Sequence, residues 1–305
     1  MKKKACICLW AIVTILLCGS CSSDAVSTSQ VENQDLTLSF FESSIQPLNA
    51  KRKAASRADD ANTSKALKDC DFVDLNIALI PTNSKDATIY FKQNKTTDAD
   101  AFGSVKMKVP VGTYHIVAIA SKKDADVKIN SLTEVVFQNK VTDMAYICKE
   151  ITVKSGSTNL NCLLKRAVSK FTITNTGTRG SDVANVKIQL SGNCGRTFNP
   201  TTGLAAATSP LEVTLAPSSK DQITNDTYSI YAFLTTNQEK VNATVTILDN
   251  SGSEMKTLSF NDVVLKTNYV TVYKGNMFDL TSNAEFTFSG SKNFDDSGTG
   301  IEFTE

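Results

Sequence analysis

Apolar residues recur at every second position along most of this chain, in short runs closed by turn residues, and that pattern leaves little room for any architecture but stacked β-sheets. Val73, Leu75, Ile77 and Leu79 alternate and stop at Pro81. Val105, Met107 and Val109 do the same up to Pro110-Val111-Gly112-Thr113, where Pro fixes one dihedral and Gly frees another. Further on, Tyr228, Ile230, Ala232 and Leu234 alternate, as do Val241, Ala243, Val245 and Ile247, ahead of a hairpin turn at Asp249-Asn250-Ser251-Gly252. The three-and-four spacing of a packed helix is almost absent. The fold class expected is all-β, and the turn signals fall into two comparable blocks that meet at Lys165-Arg166. This predicts two β-sandwiches in series, residues 36–165 and 166–305. About seven strand-like runs fall in the first block, ending with Val135 to Phe137, Tyr146 to Val153 and Leu160 to Leu164. No short repeat is visible, which disfavours a solenoid or propeller.

Ahead of the strands, Lys2, Lys3 and Lys4 form a positive region, Leu9 to Leu17 an apolar one, and Cys18-Gly19-Ser20-Cys21 a small-residue stretch closed by cysteine. Small residues immediately before a cysteine are what a lipoprotein signal requires, since that cysteine becomes the acylated N-terminus. The apolar run is too short to span a bilayer. Residues 1–20 are therefore expected to be a lipoprotein signal peptide, Cys21 the lipidated (palmitate-bearing) residue, and 21–35 a tether. Such a signal places the chain at a bacterial outer membrane.

Three stretches interrupt or end the strand pattern. Leu36, Leu38 and Phe40 make a first short strand, followed by a polar, basic segment over 47–67 that contains Arg52, Lys53 and Arg57 and has no apolar period to pack it. It reads as an exposed loop open to proteolysis. At the other end, Phe286 and Phe288 alternate, a Gly, Ser and Asp spacer follows, and Ile301 and Phe303 resume the alternation. The stretch 284–305 is thus either a final edge strand or an arm that pairs elsewhere.

Composition narrows function mainly by exclusion. The net charge of +1 becomes −2 once Lys2, Lys3 and Lys4 leave with the signal, 1 − 3, so nucleic acid is not an expected partner. Trp10 is the only tryptophan and lies in the signal, and His115 is the only histidine. One histidine cannot furnish the usual hydrolytic or metal sites, and His115 reads as an ordinary strand residue. We assign no catalytic residue, no metal site and no cofactor, and the paired carboxylates at Asp98/Asp100, Asp124/Asp126 and Asp295/Asp296 fit no calcium-loop rhythm. Cys148 and Cys162 flank Ser155-Gly156 nearly symmetrically, so a hairpin turning there would bring them close. Either a cross-strand disulfide or two buried thiols would satisfy that spacing.

Three strings resemble the fimbrillin-type surface lipoproteins of the Bacteroidetes, the family of major and minor fimbrial subunits and their anchors. They are Val109 to Ala120, with its turn and Tyr114; Leu164 to Phe171, with Arg166; and Asn268-Tyr269-Val270-Thr271-Val272-Tyr273-Lys274-Gly275-Asn276-Met277-Phe278. The resemblance implies two transthyretin-like β-sandwiches and a non-enzymatic role in a fimbrium and in cell adhesion. It also implies cleavage after Arg or Lys, with Arg57, Arg52 and Lys53 as candidates. Leu36, Leu38 and Phe40 would form the displaced strand, and Phe286, Phe288, Ile301 and Phe303 the donor arm. Partners would be other pilus subunits joined by donor-strand exchange, with a homopolymer as the expected form, and the outer membrane through Cys21. A non-polymerising anchor or tip adhesin, and a carbohydrate-binding surface lipoprotein of a glycan-uptake system, are the alternatives. A surface hydrolase fits least.

Overall fold

The computed structural model describes residues 33–43, 64–217, 226–279 and 286–293. Among them there is no α-helix, and the expectation of an all-β, sandwich-building chain is met. The first ten strands are β1 (Asn33–Ser43), β2 (Ser64–Ala66), β3 (Asp74–Pro81), β4 (Ile89–Asn94) and β5 (Ser104–Pro110), then β6 (Gly112–Ser121), β7 (Val127–Ile129), β8 (Val135–Phe137), β9 (Met144–Val153) and β10 (Thr158–Arg166).

Eight of these form one sheet in the order β2-β1-β10-β9-β6-β3-β4, with β5 also paired to β1. The sheet does not lie flat. Strand β10 pairs with β1 along Thr158 to Leu164 and with β9 only through Lys165 and Arg166, so it passes from one layer to the other. Side-chain bonds tie β4, at one end of that order, to the segment leading into β5: Gln93 of β4, 5 % exposed, donates to the carbonyls of Ala101 and Ser104 and accepts the Gly103 N–H at 2.9 Å. The enclosed core takes the inward residues of both layers, among them Leu36, Leu38, Phe40, Leu75, Ile77, Ile116 and Cys162.

Strand β6 is buried on both faces. Tyr114, Ile116, Ala118 and Ala120 face that first core, whereas Val117 and Ile119 belong to a second, larger one. A strand covered on both sides has no polar face to display, which is why Ile116 to Ala120 reads as an unbroken apolar run.

The second half contains β11 (Ser169–Asn175), β12 (Val183–Gly192), β13 (Cys194–Gly195), β14 (Thr197–Asn199), β15 (Leu204–Ala207) and β16 (Leu211–Leu215). It continues with β17 (Thr227–Leu234), β18 (Gln238–Asp249), β19 (Glu254–Lys266), β20 (Tyr269–Gly275) and β21 (Phe286–Asn293). Sheets ordered β13-β17-β11-β20-β21 and β16-β12-β18-β19 enclose the larger core. The β18–β19 hairpin turns where expected: Asp249 Oδ1 accepts the N–H groups of Ser251 and Ser253, and Gly252 supplies a φ of +80°.

Two local readings change. The short run Val135 to Phe137 does not join the first sheet; as β8 it pairs with β7 on one side and β14 on the other, in a four-stranded sheet drawn from both halves of the chain. Its Phe137 ring packs 5.1 Å from Phe233, and this aromatic contact determines where so short a strand goes. The other is Asn193 to Gly203, where Gly195, Pro200 and Gly203 suggest a loop by sequence; it carries β13 and β14, with Cys194 and Phe198 wholly buried.

Candidate functional site

Strand β1 is an interior strand although it begins the described chain. One edge runs parallel to β10, from Leu36 opposite Thr158 to Glu42 opposite Leu164. The other edge is antiparallel to β5, from Asn33 opposite Pro110 to Ser39 opposite Ser104, and then to β2 through Phe41 to Ser43. Between those partners the Phe40 N–H donates to the Gly103 carbonyl at 2.8 Å. Gly103 has a φ of +84°, and a Cβ there would lie 2.7 Å from the Leu67 Cβ, so this turn needs glycine on both counts.

The strand inserts four side chains into the first core by simple alternation. Leu36 and Leu38 are 0 % exposed and Phe40 2 %, with Gln34 closing the row at one end. Polar clamps hold both ends of this row. Gln34 Oε1 accepts the Gly156 N–H at 2.7 Å, across the turn joining β9 to β10. At the other end Arg166 lies 2.9 Å from Glu42 and 2.9 Å from Asp143, with all three side chains largely buried. The guanidinium also stands 5.9 Å from the Phe72 ring. One arginine thus ties the last turn of β10 to β1 and to the loop before β9.

Of the expected site residues, Leu36, Leu38 and Phe40 lie together in this row. Cys21, Arg52, Lys53, Arg57, Ile301 and Phe303 lie outside the described residues. Phe286 and Phe288 belong to β21, which pairs antiparallel with β20 at the rim of its sheet. Phe286 packs on Phe260 with ring centroids 5.1 Å apart, and Phe288 is exposed. Cys148 and Cys162 are both free thiols, so the disulfide alternative gives way to that of two separate thiols. The chain turns at Ser155-Gly156, but no paired hairpin forms there: β10 runs beside β1 and meets β9 only at Lys165 and Arg166, so Cys162 faces the first core while Cys148 packs against the second. His115 sits in the β6 ladder between Ile80 and Glu150, as an ordinary strand residue would.

Sequence reasoning did not pick out Gln34, Glu42 or Asp143. For the first two the signal was present, since both continue the inward parity of Leu36, Leu38 and Phe40. Polar residues at inward positions flanking an apolar row mark where such a row is clamped.

Burial also sets an alkaline limit. The Cys70 thiol is pushed up to about 12, by burial first and by Glu42 second, and burial alone pushes Cys194 up to about 11. The Tyr231 hydroxyl is pushed up to about 12, by burial and then by Asp143. These groups are held neutral in the folded chain, so their contribution is complete below their ordinary values and is lost as pH rises through the folded ones. The melting temperature should be level from neutral pH to about 8.5 and fall steeply between about 9 and 12, as followed by circular dichroism.

A family model described as a family of unknown function, DUF6562, matches residues 82–302, leaving β1 outside the match. No curated protein matches the sequence. Among solved structures the chain is similar to a "putative adhesin" from Bacteroides ovatus at 13% identity, covering 81% of this chain and 88% of that one with a TM-score of 0.48. It is also similar to "putative polysaccharide binding proteins" from Bacteroides thetaiotaomicron, at 9% identity, 79% and 91% coverage and a TM-score of 0.44. The fimbrial anchor protein Mfa2 from Porphyromonas gingivalis is similar at 10% identity, 84% and 98% coverage and a TM-score of 0.41.

Proposed function

We propose that this chain, which belongs to the DUF6562 family of unknown function, is a non-enzymatic structural subunit of a bacterial surface pilus that assembles by exchange of β1. The observation that carries the reading is the place of β1: an N-terminal strand paired on both edges, with its apolar row fully buried. Its covalent route to β2 is the stretch 44–63, whose sequence holds Arg52, Lys53 and Arg57. A cut there leaves β1 held by non-covalent forces alone. Its departure would open two sheet edges, on β5 and β10, above an apolar groove, which is the arrangement that strand addition uses for affinity and register.

In this reading the chain reaches the outer membrane as a lipoprotein through Cys21. Cleavage after Arg57, Arg52 or Lys53 then releases lipid and first strand together. The C-terminal stretch 284–305, with Phe286, Phe288, Ile301 and Phe303, fills the groove of the next copy. Head-to-tail contact of this kind does not close and gives a filament. Residues 36–165 and 166–305 would be the two sandwich domains of each subunit. One observation favours a second reading: Phe286 to Asn293 is already paired with β20 in its own chain, and an arm that stays there suits an anchor or tip subunit.

Limited trypsin digestion of the folded protein, followed by N-terminal sequencing and unheated gel electrophoresis, separates these readings. A single cut near Arg57 with a ladder of oligomers supports the polymerising subunit. A cut chain that remains monomeric supports the anchor or tip, and resistance over 44–63 removes the mechanism.

A further inference from the structure

We infer that a cleft between β4 and β7 is a saccharide-binding site, with a sugar ring stacked on Tyr90. In the β3–β4 ladder Ala78 is opposite Tyr90 and Asn76 opposite Lys92, so Tyr90, Lys92 and Asn76 share one face of the sheet. Strand β7 and the following Asn130 form the other wall of a cleft of about 520 Å³, within the range of small-molecule sites. Strand β4 ends its sheet and β7 ends the four-stranded one, so among the described residues no further strand closes the outer side. The cleft is open to the surface on that side.

Its chemistry is that of a sugar subsite. Tyr90 is 60 % exposed, and among the exposed large apolar side chains, which include Val111, Leu163 and Phe288, it is the one that lines this cleft. An accessible aromatic face takes the C–H face of a sugar ring, and the phenol adds a polar edge. Lys128 and Lys92, the latter also 3.7 Å from Asp74, supply donors for hydroxyl or carboxylate oxygens, and no carboxylate is among the described residues that line the cleft. Asn76, 9 % exposed, forms part of the cleft floor. A peptide strand is the weaker fit, because strand addition reads in-plane backbone groups and this cleft presents side chains from a sheet face.

The inference is independent of strand exchange, and its test uses the uncleaved chain. Cellohexaose, maltohexaose, chitohexaose and hexagalacturonic acid serve as probes in titration calorimetry, with wild type, Tyr90→Phe and Tyr90→Ala compared. Tyr90 is exposed, so both variants should keep the wild-type melting temperature. At least one probe should bind wild type, Tyr90→Phe should retain most of that affinity, and Tyr90→Ala should bind about tenfold more weakly or worse. Failure of all four probes to bind overturns the assignment, as does binding that Tyr90→Ala leaves unchanged. A Tyr90→Ala chain that alters only self-association also overturns it, and would make the cleft a protein contact.

Discussion

A chain that begins at Ala58, and so lacks β1, should be unable to hold a stable monomeric first sandwich. Leu36, Leu38 and Phe40 are essentially fully buried, and each large apolar side chain contributes roughly 1.5–3 kcal/mol on burial. Together the three amount to about 4.5–9 kcal/mol, comparable with the roughly 5–15 kcal/mol that separates a folded domain from its unfolded state. Unpaired backbone along β5 and β10 adds to the deficit. The truncated chain is therefore expected to unfold at low denaturant or to self-associate. A synthetic peptide of residues 33–43 should restore a monomer with a cooperative melt. The same peptide with Leu38→Asp should fail, because it would put an unpaired carboxylate into the apolar core. Size-exclusion chromatography and thermal melts with and without each peptide read all three outcomes.

Arg166→Ala should be the most damaging single substitution at the clamp. It leaves Glu42 and Asp143, both largely buried, without their cation, and removing one partner of a buried ion pair typically costs about 3–5 kcal/mol. Lost packing of the guanidinium on Phe72 adds to this. The diagnostic readout is the strand itself. Hydrogen exchange should rise first at Phe40 to Ser43, where β1 loses its terminal anchor, and less at Gln34, which has its own clamp at Gly156. Equal loosening of every strand in the sheet would mean that Arg166 supports the sandwich generally and not β1 in particular.

Much of this arrangement was legible from alternation alone. Leu36, Leu38 and Phe40 announce a strand with one buried face, and the side-chain period of two specifies which residues face inward. The turns at Pro110 to Thr113, Ser155-Gly156 and Asp249 to Gly252 were legible because their residue types carry their own backbone geometry. The partners of each strand were not legible. The pairing of β1 with β10 and with β5 joins residues far apart in sequence, and that choice depends on how two layers close, as the crossing of β10 and the bonds of Gln93 show. The same cause separates Cys148 from Cys162: spacing around a turn gives proximity only if both strands stay in one layer. The clamp at Arg166 was half visible, since the arginine stood out at the junction of the two blocks and Glu42 continues the inward parity of its strand, while Asp143 lay in a stretch without a pattern of its own. The cleft beside Tyr90 left no trace, because nothing in the spacing of β4 and β7 indicates that their edges come together.

The claim that one copy supplies the strand another has lost is tested most directly by crosslinking between chains. A photo-crosslinking side chain placed at Ile301 is activated before and after trypsin treatment, and the joined peptides are identified by mass spectrometry in a mixture of light- and heavy-isotope protein. The expected result is light-to-heavy crosslinks from the arm to residues of β5 or β10, found only after cleavage. Crosslinks that stay within a single chain, or oligomers joined through surfaces that exclude β5 and β10, would contradict it.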